Sequence, residues 1–307
     1  MNSTFSEILS QVEKNEPVSM EVTIGGRTYT RLFQPRERLI MAGGGNVSQY
    51  LCQIGAMLGF AVTVIDDRPD FASASRFPEA SEVICGSYMQ TLKELQLGER
   101  DYIAVITRGH QDDMDCLRVI LSGTQPRYVG LMGSQGRAED TREILEKEGF
   151  SRSQVAHIHA PIGIPIQAQT PQEIAVSIAA EMVRIRRSSL PRQDRDGILL
   201  DDDVDLKLLK FLAEDPIPKA AVLVYGTSGV TPARSGAIMA VDEYFNTVGT
   251  LGGGCQEHEA ALEAYHMIGS GSCRTFTADL SDERAAGEGL PGGGRMELYL
   301  WDVVQSA

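Results

Sequence analysis

The hydrophobic pattern between positions 38 and 187 predicts a parallel β-sheet covered by helices. Short apolar runs rich in valine and isoleucine recur there, and stretches of helical periodicity separate them. Such runs are typical of parallel strands, because the crossover helices bury both faces of the sheet. The runs lie at residues 39–42, 61–65, 103–106 and 128–132. We therefore predict an α/β fold in which residues 37–187 form a Rossmann-like, doubly wound parallel sheet.

The segments on either side of this domain have different patterns. Residues 1–36 predict a helix at 5–14 and a hairpin at 20–33 that turns at Gly25-Gly26. Residues 188–218 predict an acidic linker with one short helix at 206–214. Residues 219–307 predict a smaller α+β domain, and we expect the hairpin to pair with one of the two domains. The smaller domain is predicted to contain strands at 221–225, 237–241, 247–251, 274–277 and 295–301, and a helix at 256–267.

Charge and composition exclude several classes of partner. With a net charge of −14 and a sequence pI near 4.8, the chain lacks the basic surface that nucleic acids and anionic membranes require. The N-terminus lacks the regions of a signal peptide, and no run approaches the roughly 18 apolar residues of a membrane span. The five cysteines form neither a disulfide framework nor a CxxC pair. We expect a cytoplasmic protein that binds neither nucleic acid nor membrane.

The first chemical signal is the glycine motif Gly43-Gly44-Gly45-Asn46-Val47. It follows a predicted strand and opens a predicted helix, which is the setting of the dinucleotide-binding fingerprint, where free N–H groups meet a pyrophosphate. Asp66 and Asp67 end the next strand about 20 residues further on, where a carboxylate binds the ribose hydroxyls. This predicts a site for NAD or another adenine nucleotide rather than NADP. The alternative is a Rossmann domain that keeps the glycines for packing alone.

Further polar residues follow the next two predicted strands. Arg108 and His110 come after residues 103–106, and Ser134 and Arg137 come after residues 128–132. The carboxyl ends of parallel strands form the ligand-binding edge of a doubly wound sheet, so these side chains are candidates to contact a bound anion. The alternative is that they belong to capped loops, with Ser134 as a helix N-cap.

The second glycine motif is Gly252-Gly253-Gly254-Cys255-Gln256. It places Cys255 in the first turn of a predicted helix, where the helix field favours the thiolate. The glycine N–H groups suit a phosphate, the sulfur suits a soft centre, and Arg234 is a candidate to reach the same anion. The alternative is a tight turn around an inert cysteine. The other four cysteines are predicted to pack inside.

Other catalytic or metal motifs are weak or missing. His157 and His159 alternate along a predicted strand and therefore share a face, but no third metal ligand accompanies them. The sequence carries no Ser-His-Asp order, Walker loop or HExxH stretch. The motifs therefore predict neither a hydrolase nor a kinase.

Taken in order, the motifs resemble the XdhC/CoxI family, the xanthine dehydrogenase accessory proteins. In the predicted Rossmann domain they are Gly43-Gly44-Gly45-Asn46-Val47, Val64-Ile65-Asp66-Asp67-Arg68-Pro69, Thr107-Arg108-Gly109-His110, Tyr128-Val129-Gly130-Leu131-Met132-Gly133-Ser134, His159-Ala160-Pro161-Ile162-Gly163 and Thr170-Pro171-Gln172-Glu173-Ile174-Ala175. In the smaller domain they are Gly229-Val230-Thr231-Pro232, Gly236-Ala237 and Val248-Gly249-Thr250-Leu251-Gly252-Gly253-Gly254-Cys255. No single motif is specific, but their order and separations are.

The resemblance implies a cofactor-binding chaperone rather than a turnover enzyme. Such proteins bind molybdenum cofactor (molybdopterin), support its sulfuration and hand it to an apo molybdenum hydroxylase of the xanthine dehydrogenase type. For this chain the resemblance implies a pterin phosphate on residues 252–254 and molybdenum, or a transferred sulfur, close to Cys255. The Rossmann domain would supply a second ligand site or a wall of the first. A cysteine desulfurase is a further implied partner, and a homodimer that completes the site is a further hypothesis.

The sequence departs from the family pattern in two places. The Rossmann domain comes first here, whereas the glycine-cysteine domain usually comes first in the family. Gly292 stands where family members commonly carry a second cysteine. A mechanism that needs two thiols therefore lacks its second sulfur at that position.

Two other functions are compatible with the motifs. One is an NAD-dependent oxidoreductase that acts on a small molecule, with His110 as acid or base, although no hydride-transfer constellation accompanies it. The other is a nucleotide-sensing regulatory protein. The motifs specify neither the client enzyme nor the choice between sulfur and selenium.

Overall fold

The computed structural model describes residues 5–14, 16–34, 36–188, 197–200, 205–279 and 293–303. The chain divides into two compact units. The Rossmann unit is Arg36–Leu190, and the terminal unit combines Met1–Pro35 with Pro191–Ala307. The N-terminal segment therefore belongs with the C-terminal part of the chain. None of the described helices has the length and apolar character that a membrane crossing requires.

The N-terminal segment forms the helix and the hairpin that its pattern predicts. Helix α1 spans Phe5–Glu13, and strands β1 (Val18–Ile24) and β2 (Arg27–Phe33) pair antiparallel. The turn residues Gly25 and Gly26 both have positive φ, which glycine adopts without strain. Burial alternates along β1, so one face of the hairpin packs into the core of the terminal unit.

The described part of the Rossmann unit contains a six-stranded parallel sheet and its crossover helices. The elements are β3 (Arg38–Ala42), α2 (Asn46–Met57), β4 (Ala61–Asp66), β5 (Glu82–Cys85), α3 (Tyr88–Glu94), β6 (Tyr102–Val105), α4 (His110–Ser122), β7 (Tyr128–Leu131), α5 (Gln135–Lys147), α6 (Arg152–Ala156), β8 (Ile158–His159) and α7 (Pro171–Ser188). The strand order β5-β4-β3-β6-β7-β8 is that of a dinucleotide-binding Rossmann sheet. This confirms the predicted doubly wound sheet. The order reverses between β3 and β6, so the ligand crevice typical of this fold lies at their carboxyl ends.

Apart from Arg38 at the start of β3, the central strands β3, β6 and β7 are apolar, because both faces of the sheet are covered. Leu39 and Met41 of β3 pack into a core with residues of α2 and α7, whereas Ile40 packs into a second core with residues of α3 and α4. β6 and β7 are buried at every position. This two-sided burial explains why their sequences read as continuous apolar runs rather than alternating ones.

Two parts of the Rossmann unit differ from the prediction. The pattern does not predict β5, because this edge strand is only partly buried. The prediction that His157 and His159 share a strand face is wrong, because His157 is the C-cap of α6 and lies before β8. His157 Nε2 lies 2.8 Å from the carbonyl oxygen of Pro126, and His159 Nδ1 lies 3.2 Å from Glu181 Oε1. Among the described residues, no group of three or more potential metal ligands is found.

The rest of the terminal unit contains β9 (Ile198–Leu200), α8 (Leu206–Ala213), β10 (Lys219–Ser228), β11 (Ile238–Asp242), β12 (Thr247–Gly249), α9 (Cys255–Tyr265), β13 (Cys273–Asp279) and β14 (Arg295–Val303). An antiparallel sheet has the order β12-β11-β10-β14-β13, and a second sheet has the order β1-β2-β9. α8 confirms the predicted short helix, and the Asp205 side chain caps it by accepting from two backbone N–H groups. The acidic run at residues 201–203 and Gly292 lie outside the described residues.

β10 is the centre of the terminal unit and is covered on both faces. Ala221 and Leu223 pack into a core shared with α1, α8 and the hairpin. Val222 and Val224 pack on the opposite face, in a core shared with α9. The α+β architecture predicted for the C-terminal part therefore includes the N-terminal residues in one of its two layers.

Lys219 at the start of β10 is a buried polar link to α8. Its side chain is 1% exposed, and Nζ donates to the carbonyl oxygens of Phe211 and Asp215, both at 2.6 Å. Burial lowers the pKa of Lys219, although the Asp215 carboxylate acts in the opposite direction. Helix ends leave carbonyl groups without internal partners, so Lys219 supplies the missing donor at this end of α8.

We expect Lys219→Met to lower the free energy of unfolding by about 2 kcal/mol, because buried carbonyl groups lose their donor. Lys207→Met, at an exposed position of α8, is the matched control and should change it by less than about 0.5 kcal/mol. Urea unfolding followed by circular dichroism measures both values. Equal stabilities of the two variants would show that the buried ammonium does not hold α8.

Candidate functional site

The glycine loop at the carboxyl end of β3 is shaped by close backbone contacts. Gly43 has a φ of +118°, and a Cβ on it would lie 2.1 Å from the carbonyl oxygen of Ile106. A Cβ on Gly44 would lie 2.2 Å from the carbonyl oxygen of Phe71. Gly45, the N-cap of α2, has open space around it and leaves the helix without a side-chain cap. Gly43 and Gly44 are therefore required by packing, and Gly45 faces the open side of the loop.

The Asp66 carboxylate is bonded directly to this glycine loop. Gly44 N–H donates to Asp66 Oδ2 at 2.8 Å. The backbone N–H and Nε of Arg68 donate to Oδ1 at 3.0 and 2.9 Å, and its second guanidinium nitrogen donates to Oδ2 at 2.9 Å. Burial alone would raise the pKa of Asp66. The hydrogen bonds from Arg68 and Gly44 have the larger combined effect and lower this pKa to about 2. The ribose contact predicted for Asp66 stays a prediction, and it requires that Gly44 and Arg68 release the carboxylate.

Two arginines that follow β4, Arg68 and Arg76, form hydrogen bonds with residues at the glycine loop. The Arg68 guanidinium lies over the Phe71 ring, 3.6 Å from its centroid. Arg76 Nε donates to the carbonyl oxygen of Gly44 at 2.9 Å, and its terminal nitrogen donates to Asn46 Oδ1 at 3.1 Å. Sequence reasoning assigned no role to either arginine. The signal for Arg68 was its position two residues after the strand-end carboxylate.

The candidate residues Arg108 and Arg137, which follow the neighbouring strands, form ion pairs with carboxylates of the same unit. Arg108 donates to Asp67 Oδ2 at 2.8 Å, and both side chains are exposed. Arg137 donates to Asp113 Oδ2 at 2.5 Å. Asp113, which sequence reasoning missed, is buried in the first turn of α4, and burial raises its pKa. The structure thus joins Arg108 to Asp67 but pairs Arg137 with a different carboxylate.

The two remaining candidates at this edge lie at helix starts. His110 is the exposed first residue of α4. Ser134 is the N-cap of α5 and accepts a hydrogen bond from the backbone N–H of Arg137 at 3.3 Å. Ser134 therefore has the capping role that was the alternative to anion binding. Val47 lies in the first turn of α2, as the motif predicts.

The second glycine motif forms a left-handed loop that opens α9. Gly252, Gly253 and Gly254 all have positive φ, and Gly254 is an N-cap that brings no side chain to the helix end. A Cβ on Gly252 would lie 2.4 Å from Cβ of Pro232, so the loop that contains Pro232 packs against the motif. Arg234 is exposed two residues further along that loop. Its contact with a bound anion stays a prediction.

Glu257 accepts hydrogen bonds inside this loop, in the region assigned to a phosphate. Its Oε2 accepts from the N–H groups of Leu251 (2.5 Å) and Gly253 (2.9 Å) and from Thr250 Oγ1 (2.6 Å). Gly252 N–H donates to Thr250 Oγ1 at 3.0 Å. Burial alone would raise the pKa of Glu257, but the hydrogen bonds that its carboxylate accepts have the larger combined effect. The net result is a lowered pKa, so the carboxylate is ionised at neutral pH. The glycine N–H groups at 252 and 253 are therefore already used.

The open end of this motif is the first turn of α9. Cys255 is the first helical residue and is exposed, and Gln256 follows it. N–H groups in a first helical turn have no acceptor inside the helix, and the helix field there favours an anion. An anion at this motif would therefore sit beside Cys255 rather than on Gly252 and Gly253. Sequence reasoning missed Glu257, although a glutamate in the first turn of a helix is a familiar partner for free N–H groups.

The exposed cysteines change one prediction. Cys52 and Cys116 are buried as predicted, but Cys85 and Cys273 are exposed, so the prediction that all four pack inside is wrong. Cys85 ends an edge strand, and Cys273 begins one, which leaves both side chains at a sheet margin.

Cys273 lies next to a residue that contacts the C-terminal part of α9, whereas Cys255 begins this helix. The neighbouring Arg274 donates to the carbonyl oxygen of Glu263, near the C-terminal end of α9, at 2.8 Å. Glu263 and Cys255 are separated by eight residues of helix, or about 12 Å at the α-helical rise. The contact of Arg274 therefore lies about two turns of helix from Cys255.

Two family models match the chain. The model of the XdhC Rossmann domain matches residues 39–182, and the model of the XdhC and CoxI family matches residues 212–279. Together they cover more than two thirds of the chain. The fold and the loops define a protein that combines a Rossmann sheet with a glycine-cysteine α+β unit. The chain belongs to the XdhC/CoxI family.

Known proteins resemble parts of the chain. A probable xanthine dehydrogenase subunit from Bacillus subtilis (strain 168) is 33% identical over 159 residues, which cover 52% of this chain and 46% of that protein. The molybdenum cofactor insertion chaperone PaoD from Escherichia coli (strain K12) is 24% identical over 155 residues, which cover 50% of this chain and 42% of that protein. A crystal structure of a xanthine dehydrogenase from Bacillus halodurans is 28% identical, with a TM-score of 0.49, over 62% of this chain and 52% of that chain. The chain spans less than half the length of these two curated relatives.

We expect native protein to react with Ellman's reagent at three thiols, because Cys85, Cys255 and Cys273 are exposed. Burial raises the pKa of Cys52 to about 11 and also raises that of Cys116, so these two should react only in denaturant. Cys255→Ser and Cys273→Ser should each remove one fast equivalent. Rapid reaction of all five thiols in native protein would contradict the burial of Cys52 and Cys116.

We expect Asp66→Asn to lower the free energy of unfolding by about 2 kcal/mol at pH 7, because the pKa of Asp66 is lowered to about 2 in the folded state. An aspartate in the unfolded chain titrates near about 3.9, so this stabilisation is complete above about pH 5 and is lost as the pH falls toward 2. Urea unfolding at several pH values between 7 and 3 measures the difference between variant and wild type. Asp67→Asn, at an exposed position, is the control, and a pH-independent difference for Asp66→Asn would contradict the ion pair with Arg68.

Proposed function

We propose that this chain is an accessory protein that binds molybdenum cofactor and assists its insertion into a molybdenum hydroxylase of the xanthine dehydrogenase type. The observation that carries the proposal is the exposed Cys255 at a start of α9 that has no side-chain cap. The names of the relatives, a molybdenum cofactor insertion chaperone and a probable xanthine dehydrogenase subunit, support it. A cytoplasmic location is part of the proposal.

The donors at the start of α9 fit the groups that this cofactor presents. Free N–H groups at a helix start suit a phosphate, and a thiol suits a soft metal or a sulfur ligand. Cys255 would lie at the metal or the transferred sulfur, and the N–H groups of Cys255 and Gln256 would hold the phosphate. When bound, the cofactor supplies the molybdenum centre that the client hydroxylase requires.

Glu257 gives this loop its shape in the absence of a ligand. Its carboxylate joins Leu251, Gly253 and Thr250, so the glycine motif is held in one conformation before an anion arrives. A fixed loop presents Cys255 without an ordering cost at the moment of binding. Glu257 also repels an anion from the inner part of the loop and so favours binding at the helix start.

Support for sulfuration of the cofactor, with a cysteine desulfurase as donor, is the finer part of the proposal. Cys255 is the exposed thiol of the glycine motif, and Cys273 lies near the other end of α9. Any sulfur carried by this unit would therefore reside on Cys255 alone. A mechanism with a single thiol agrees with the glycine at position 292.

The oxidoreductase and the nucleotide sensor both require a nucleotide at the first glycine loop. Asp66 is bonded to Gly44 and Arg68, and Arg76 covers the same loop, so these two functions gain no support from its geometry. We keep NAD or another adenine nucleotide as a second candidate ligand of the Rossmann unit. Equilibrium dialysis against NAD tests the ligand that the oxidoreductase requires, and an absence of binding would exclude that function.

We expect wild-type protein, made in a host that synthesises molybdopterin, to retain pterin through purification. Cys255→Ser should lose most of the bound molybdenum, because the sulfur contact at the helix start is removed. Cys273→Ser is the matched control and should retain it, because this exposed thiol lies near the other end of α9. Fluorescence of oxidised pterin and molybdenum content measure the load. Full retention by Cys255→Ser would remove Cys255 from the binding site.

A further inference from the structure

We infer that the terminal unit carries a second small-molecule site, which takes a fused heteroaromatic ring with N–H donors on one edge and an attached acidic group. The site is a cleft of about 210 Å³ between the N-terminal hairpin and β10–β14. Its chemistry comes from Arg27, Tyr29, Tyr225, Gly226, Arg295 and Glu297. It uses none of the residues of the Cys255 motif, and it goes beyond the function proposed for that motif.

A bulge in β10 forms the floor of the cleft. Val224 pairs with Leu298 and Gly226 pairs with Glu297, so Tyr225 is an extra residue on β10. Bulges of this kind redirect a side chain and are common beside functional sites. A Cβ on Gly226 would lie 2.5 Å from Glu297 Oε2, so glycine at this position makes room for the carboxylate.

Aromatic rings form one wall of the cleft. The rings of Tyr29 and Tyr225 meet with their centroids 5.3 Å apart and an interplanar angle of 64°. The Arg27 guanidinium lies over the Tyr29 ring at 5.2 Å. Burial raises the pKa of Tyr225, and the nearby Glu297 and Tyr29 raise it further, while Arg295 lowers it by less. The phenol therefore keeps its proton at neutral pH and can donate a hydrogen bond.

Among the described residues, the charged groups of the cleft have few partners. Within the part of the chain that the structure describes, the side chains of Arg27 and Glu297 make no ion pair or hydrogen bond, and Arg295 makes one long contact of 3.5 Å with Thr277. Partly buried carboxylates are usually paired, and an unused one in a cleft is available to a ligand. Both arginines and Glu297 therefore face a cleft with free hydrogen-bonding capacity.

These groups together select one class of ligand. A carboxylate accepts from two neighbouring N–H groups, a guanidinium binds a phosphate or carboxylate, and tyrosine rings contact a flat ring. The volume lies below the roughly 300–1,000 Å³ of sites for drug-sized ligands, which favours a single fused ring system. Guanine nucleotides and acidic pterins both present an N–H edge and an acidic group, whereas adenine presents an acceptor beside its amino group.

The test is equilibrium dialysis of the full chain against four probes: GMP, pterin-6-carboxylate, AMP and inorganic phosphate. We expect GMP or pterin-6-carboxylate to bind at least about tenfold more tightly than AMP and phosphate, because only their ring edges satisfy Glu297. The tighter of the two identifies the source of the ring. Equal binding of AMP, or binding of phosphate alone, would show a general anion site and overturn the inference, as would no binding of either ring.

Variants locate the binding. Glu297→Gln should weaken the preferred probe at least about tenfold, whereas Glu259→Gln, at an exposed position of α9, should not. Arg27→Gln, at an exposed strand position that tolerates the change, should also weaken binding, with the exposed Arg152→Gln as its control. Cys255→Ser should leave ring binding intact, which separates this site from the proposed cofactor site. Unchanged affinity in Arg27→Gln and Glu297→Gln would place the ring elsewhere.

Discussion

A glycine loop that opens a helix leaves backbone N–H groups without partners inside the helix, and each buried donor needs an acceptor. This protein meets part of that need with its own carboxylates. Asp66 accepts from Gly44 in the Rossmann unit, and Glu257 accepts from Gly253 in the terminal unit. The hydrogen bonds that the two carboxylates accept outweigh the effect of burial and lower both pKa values, so both groups are ionised at neutral pH. Both loops therefore keep their shape without a ligand.

The two loops differ in what they leave open. In the Rossmann unit, Arg68 neutralises Asp66 and Arg76 donates to the carbonyl oxygen of Gly44, so the inner part of the loop is held by its own chain, while the start of α2 at Gly45 has no side-chain cap. In the terminal unit, Glu257 fills only the inner part of the loop, and the helix start at Cys255 stays exposed. Both helix starts lack a side-chain cap, but only the start of α9 carries an exposed thiol. This difference supports the proposal that the cofactor binds beside Cys255.

The fold could be predicted where burial alone decides the structure. β3 from Leu39 onward, β6 and β7 are covered on both faces, so their sequences are continuously apolar and mark the parallel sheet. The glycine loops were located correctly because a chain that turns from strand to helix needs positive φ or close contacts there. β5 was not predicted, because a partly buried edge strand has little hydrophobic periodicity. The helix that ends at His157 was not predicted either, because it has only five residues. The hydrogen-bond partners of Asp66 and Glu257 were not predicted either, because the folded packing of the chain determines which donors surround a carboxylate.

The terminal unit shows why the C-terminal residues cannot be considered apart from the N-terminus. β10 is apolar on both faces, and α9 covers only one of them. The other face, with Ala221, Leu223 and the neighbouring Trp301, is covered by α1, α8 and the hairpin. Without residues 5–33 only α8 would cover this face, and the rest would be an exposed apolar patch of a kind that monomeric proteins rarely tolerate. The hairpin also supplies Arg27 and Tyr29 to the cleft beside Glu297, so the segment that completes the core also completes the inferred ring site.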